Sequence, residues 1–224
     1  MPATTALLPV HLRRTLRADG SIQEAISVFC GRKERSISTD LCTDCHRCHV
    51  VVLDSDDAPK FVVCESRQPV KDGDAKGAGS PHATPVWAAL SRAVLCVEAD
   101  VAAGRLNTVL ADAGCDCAPV VDRDGVLLGV VSCADLMRWQ WRSGAPALAV
   151  SALMRQVRPV PATTPVATVG ALMASESIDA LPVVESDEHP VVVGVITARD
   201  VMAWLARRAT QARERRLPGA PMRE

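Results

Sequence analysis

Residues 86–210 match themselves, and this internal repeat constrains the fold more than any other feature of the chain. In the first copy Cys117-Ala118-Pro119-Val120-Val121 leads through Asp122-Arg123-Asp124-Gly125 into Val126-Leu127-Leu128-Gly129-Val130-Val131-Ser132-Cys133-Ala134-Asp135. In the second, Ala180-Leu181-Pro182-Val183-Val184 leads through a connection two residues longer into Val191-Val192-Val193-Gly194-Val195-Ile196-Thr197-Ala198-Arg199-Asp200. The offset is 63 to 65 residues. Each copy contains two short β-branched runs joined by a turn, with Asp124-Gly125 a strong hairpin signal, and then a helix opening at Ser132 or Thr197. Upstream, Val166, Val169, Leu172 and Met173 fall on one helical face, as Val101, Leu106, Val109 and Leu110 roughly do in the first copy. A short extended piece, Val94 to Val97 or Val157 to Val160, precedes each. The fold class expected is therefore α/β (α+β), built as a tandem pair.

On these residues the chain closely resembles a tandem pair of CBS domains, the unit named after cystathionine beta-synthase and called a Bateman module when paired. The match rests on Ala118-Pro119-Val120-Val121 with Gly129 through Asp135, and on Leu181-Pro182-Val183-Val184 with Gly194 through Asp200. The resemblance implies two units packed by their sheets about a pseudo-twofold axis, with a cleft on each side where family members hold adenosine-containing ligands such as AMP or ATP. It also implies association of two chains into a homodimer, which the apolar faces Val166/Val169/Met173 and Val201/Leu205 would allow. Such pairs regulate and do not catalyse.

The spacing Gly-x-x-Ser/Thr-x-x-Asp has a physical reading of its own. A strand ends, the hydroxyl of Ser132 or Thr197 sits at a helix N-cap, and the free amides there can receive phosphate oxygens. One turn on, Asp135 or Asp200 can accept hydrogen bonds from two adjacent ribose hydroxyls. The expected nucleotide-binding residues are Thr197, Arg199 and Asp200 with Ala180, Leu181 and Pro182 against the adenine, and Ser132, Asp135, Ala118 and Pro119 in the first copy. The second cleft is favoured, because Arg199 can reach phosphate where Ala134 cannot. The same spacing is also a plain capping arrangement that needs no ligand.

Nine cysteines divide into two groups. Cys96, Cys115, Cys117 and Cys133 are expected to fill small buried positions. Cys30, Cys42, Cys45, Cys48 and Cys64 form a cluster in which a tight cysteine turn lies between two apolar extended runs. That is how a zinc knuckle is built, and a small segment with few large apolar side chains gains from a metal staple. Zinc is the expected cofactor, with an iron–sulfur cluster the alternative, since three thiols at two-residue gaps suit one. Which four thiols bind is left open. Cys42-Thr43-Asp44-Cys45-His46 spells the c-type haem attachment motif, which requires export, and no secretory signal is recognisable.

The expected division is a flexible N-terminus (1–20), a Cys-rich metal-binding domain (21–68), a linker (69–85), two repeats (86–145 and 146–207) and a basic C-terminal tail (208–224). A net charge of -1, scarce aromatics and no apolar run long enough to span a bilayer argue against nucleic acid and membrane as partners. A cytoplasmic location is expected. No nucleophile setting and no Gly-rich phosphate loop appears, so no enzyme is expected. The reading is a regulatory module that senses an adenine nucleotide and acts on an effector protein. The alternatives are a metal or redox sensor in which the pair only dimerises, and a zinc-dependent nucleic-acid-binding regulator.

Overall fold

A computed structural model describes residues 5–53, 59–65, 84–91, 93–142, 145 and 147–216. The expected linker falls largely outside them. In the first repeat β6 (Ala93–Glu98), α2 (Ala103–Ala113), β7 (Cys117–Val121), β8 (Leu127–Ser132) and α3 (Cys133–Arg142) follow one another. The second gives β9 (Val160–Pro161), α4 (Val166–Glu176), β10 (Ala180–Val184), β11 (Val192–Thr197) and α5 (Ala198–Arg216) in the same order. In each, the middle strand pairs antiparallel with the strand after it and parallel with the strand before it. The Asp124-Gly125 turn is realised, with Gly125 at φ 84° and the Asp122 carboxylate accepting from the Asp124 and Val126 amides.

The segment ahead of each repeat packs on the opposite one. The Val86 N–H donates to the Thr164 carbonyl and the Val166 N–H to that of Thr84; correspondingly, the Val150 N–H donates to Val101 and the Ala103 N–H to Leu148. At the far end Leu127 N–H meets Pro190 and Val192 N–H meets Gly125. These exchanges bury Val94, Cys96, Val121 and Val192 between the two units.

The N-terminal region departs from expectation. Residues 5–16, expected to be flexible, form the 12-residue strand β1 (Thr5–Leu16). Its Leu12–Leu16 stretch pairs parallel with β6, and Val10–Leu16 pairs antiparallel with β2 (Ile22–Cys30), which pairs in turn with β3 (Arg35–Ser38). The earlier part, Thr5–Pro9, pairs with β5 (Pro59–Glu65), and β5 with β4 (Cys48–Leu53). All these strands belong to one eight-stranded sheet with the first repeat. The strand signal is the alternation Leu8, Val10, Leu12, masked by Arg13, Arg14 and Arg17; the physical gain is that β1 covers an otherwise open edge of β6.

The cores join as well. One continuous buried cluster runs from Val10, Val28, Phe29 and Val62 of the N-terminal strands to Trp87, Val169, Ile196 and Trp204 beside and within the second repeat. Phe29 stacks on Trp87 with ring centroids 5.8 Å apart. The Cys-rich segment is thus a lobe fused to both repeats, by sheet to one and by core to the other. Val166, Val169, Met173 and Val201, expected on a face open to a second chain, lie inside this core. Leu205 is exposed as expected, and the other large apolar side chains exposed on the helices of the repeats are Met137, Trp141 and Met202. Helix α5 runs on to Arg216, past the expected start of the tail, since Ala, Arg, Gln and Glu all favour helix and the first breaker is Pro218.

Candidate functional site

Both motifs close in the same way. The Thr197 N–H and O–H donate to Asp200 Oδ2 at 2.9 and 2.6 Å, and the Asp200 N–H returns a bond to Thr197 Oγ1 at 3.1 Å. The Ser132 N–H and O–H likewise donate to Asp135 Oδ2 at 3.0 and 2.5 Å, with the Asp135 N–H to Ser132 Oγ at 3.3 Å. This is reciprocal capping of α5 and α3. It engages one carboxylate oxygen of each aspartate and leaves the other for a second role.

That second oxygen differs between the copies. Asp200 Oδ1 accepts the Ser91 hydroxyl at 2.7 Å, a neutral donor from the segment ahead of the first repeat. Asp135 Oδ1 accepts from Arg138 Nη2 at 3.2 Å. Arg155, from the segment ahead of the second repeat, adds Nε and Nη2 contacts to Asp135 Oδ2, each at 3.2 Å. Burial pushes the Asp135 pKa up, but the two Ser132 hydrogen bonds and the Arg155 and Arg138 charges outweigh it and hold the carboxyl below its ordinary value. Ser91 and Arg155 were not anticipated from the motifs. They were legible as repeat partners, since Val86 through Ser91 aligns with Val150 through Arg155.

The remaining expected residues divide. Ala180 and Pro182 sit across from Thr197 and Val195 on β10 and β11, on one face of the strand pair. Leu181 points the other way and packs in the core, as Ala118 does in the first copy, where Pro119 pairs opposite Val130. Arg199 is exposed on the first turn of α5. The crossing segments press close on both motif glycines: a Cβ at Gly129 would stand 2.7 Å from the Arg155 carbonyl oxygen, a backbone atom, and one at Gly194 3.0 Å from the end of the Leu90 side chain.

The thiols are gathered as expected in part. Cys30 ends β2, Cys42 lies in α1 (Asp40–Thr43), Cys45 in the turn that follows, and Cys48 and Cys64 face each other across β4 and β5. Burial raises the Cys42 thiol to about 11, and the charges of Cys48, Cys30, Cys45 and Cys64 add to the rise. The donor set suits a thiophilic cation. The finished zinc knuckle is not formed, however: among the described residues no group of three or more His, Cys, Asp or Glu side chains is arranged to hold a metal ion. Of the other four, only Cys96 is fully buried, and burial pushes it to about 12. Cys115, Cys117 and Cys133 are half-buried beside the first cap, where Cys133 Sγ lies 3.4 Å from the Cys115 carbonyl oxygen.

No helix among the described residues is long and apolar enough to cross a membrane. No curated protein matches the chain. Among solved structures, a Vibrio cholerae protein named for acetoin utilization (AcuB) is similar at 24% identity with a TM-score of 0.52, covering 60% of this chain and 98% of that one. The CBS domain pair of protein MJ0100, in complex with 5-methylthioadenosine and S-adenosyl-L-methionine, is similar at 22% identity and a TM-score of 0.48, covering 56% and 98%. The CBS domain of a membrane protein from Sphaerobacter thermophilus gives 25% identity and 0.46, covering 55% and 88%. The model of the CBS domain matches residues 87–142 and again 150–207, half of the chain in all. A tandem match of this kind indicates a regulatory module and no catalytic family, and by it the chain belongs to the CBS-domain family.

Proposed function

We propose that this protein is a non-catalytic regulator that binds an adenosine-containing ligand, AMP, ATP or a relative, in the cleft beside Asp200 and passes that state to an effector protein. The observation that carries the reading is the divided use of the Asp200 carboxylate. Oδ2 is held by the helix cap, while Oδ1 meets only the hydroxyl of an exposed serine among its hydrogen bonds to described residues. A ribose diol can replace that hydroxyl donor for donor. Thr197 at the cap and Arg199 one turn into α5 supply the phosphate side, and Ala180 and Pro182 the wall for the base. Calorimetric titration of AMP, ATP and S-adenosylmethionine into the full chain tests it, and no heat with any of the three at millimolar concentration refutes it.

The reciprocal bonds between the two repeats support a pseudo-twofold relation between them. Exposed Trp141 and Met137 on α3 and Met202 and Leu205 on α5, with a groove of about 510 Å³ between α4 and α5 lined by Gly170, Met173, Ile178 and Met202, support a homodimer through these helices. A cytoplasmic location belongs to the same reading, because nine cysteines with none paired suit a reducing compartment.

A second reading is carried by the approach of five thiols to one another in the N-terminal lobe, four from β2, α1, β4 and β5 and the fifth from the turn after α1. Zinc, or an iron–sulfur cluster, held by four of Cys30, Cys42, Cys45, Cys48 and Cys64 after rotation of their side chains, would tie β2, α1, β4 and β5 together. Elemental analysis of protein purified without chelator tests this, and absence of both zinc and iron refutes it.

A further inference from the structure

The two clefts are assembled from equivalent parts but stand in different states. Asp200 Oδ1 meets one neutral hydroxyl, whereas the buried Asp135 carboxylate is engaged by two guanidinium groups in addition to its cap. Arg138 reaches it from the same helix. Arg155 comes from 20 residues away and is fixed there by its backbone: the Val130 N–H donates to the Arg155 carbonyl at 2.9 Å, and the Arg155 N–H to the Val130 carbonyl at 2.8 Å. Gly129 leaves the room this crossing needs. From that anchor the guanidinium directs Nε and Nη2 at Asp135 Oδ2, with Nη2 also 3.5 Å from Ser132 Oγ. Both Arg155 donors thus fall on the cap oxygen, while Arg138 takes Oδ1, the equivalent of the Asp200 oxygen that faces Ser91; between them the two guanidinium groups leave neither oxygen open to a ribose hydroxyl.

We infer that Arg138 and Arg155 are together the internal ligands of the first cleft, Arg138 on the carboxylate oxygen that would receive ribose and Arg155 beside it on the cap oxygen, so that the chain carries two motifs but one ready site. The inference rests on the nucleotide reading proposed above and names which cleft responds. The Arg155 side chain is 61% exposed, so water screens the pair and the closure is reversible. A ligand at sufficient concentration displaces it, which makes the first cleft a low-affinity second site.

Two measurements on the full chain decide this. In a background of Asp200→Ala, which disables the second cleft, AMP and ATP are titrated with and without Arg155→Ala and Arg138→Ala together. Removal of the internal ligands is expected to tighten binding by roughly fivefold, the upper end for one solvent-screened pair. Unchanged or weaker binding overturns the inference, the latter by making one of the two arginines a phosphate ligand. Thermal melts of Arg155→Ala, Asp135→Asn and the double variant, without nucleotide, form the second arm. Non-additive shifts are expected, and additive shifts overturn the inference. If wild type and all variants bind neither nucleotide, the sensing reading fails, and the melts alone decide whether Arg155 closes the cleft.

Discussion

Thr197 and Asp200 cap one another through a single carboxylate oxygen, Oδ2, leaving Oδ1 turned to Ser91. Capping and ligand binding are therefore not competing accounts of the motif. Asp200→Ala should do two things at once: lower stability by about 1 kcal/mol through the lost cap, and weaken nucleotide binding by roughly tenfold or more through lost charge-assisted bonds. Ser91→Ala should reach neither stability nor capping and should leave affinity unchanged or higher. Denaturant melts and calorimetry on the two variants separate the roles; loss of stability without any change in affinity would leave Asp200 a cap only.

The two motif glycines should respond unequally to alanine. At Gly129 the new Cβ meets a backbone carbonyl that is itself held in a bridge, and cannot move without parting Arg155 from Val130. At Gly194 it meets the end of a leucine side chain, which can turn. Gly129→Ala is expected to cost about 2 kcal/mol and Gly194→Ala under about 1 kcal/mol, read from urea midpoints. Equal losses would show that the crossing segment yields.

Asp135 should make the first repeat sensitive to acid. Its folded pKa lies below the ordinary 3.8, so the stability it contributes is fully present above that value and is lost as pH falls through the lowered one. Arg155→Ala removes one cause of the depression. The carboxyl should then titrate closer to 3.8 in a ¹³C chemical-shift titration, and an unmoved midpoint would mean that Ser132 and Arg138 set it without Arg155.

Thiol reactivity should follow burial. Cys96, fully buried and raised to about 12, should resist iodoacetamide in the native protein at pH 8, while the half-buried Cys117 and Cys133 react more slowly than an ordinary free cysteine. Mass mapping of alkylated peptides checks the order, and rapid native labelling of Cys96 would contradict the packing described.

Unfolding should be cooperative across the lobe and the second repeat. Phe29 is fully buried against Trp87, in a core that includes Val169 and Ile196. Phe29→Ala should cost about 3–5 kcal/mol and lower a single transition, not melt the N-terminal lobe alone. Two separate calorimetric transitions in wild type would instead restore the independent Cys-rich domain.

Much was legible because it is local. The hairpin at Asp124-Gly125, the helices opening after Ser132 and Thr197, and the doubling of the unit all follow from period, turn chemistry and capping within about 65 residues, so the sequence alone determined the repeat and its family. That Leu181 and Ala118 pack in the core was not legible, because strand alternation gives two faces without saying which one the core takes. The placement of β1 against β6 was not legible, since edge pairing joins residues about 80 apart through backbone groups that carry no side-chain signature. The inequality of the clefts lies further still from the sequence. Serine at 91 and arginine at 155 are ordinary surface residues until the crossing of each segment over the opposite repeat sets one beside Asp200 and the other beside Asp135, and only the tertiary structure brings that about.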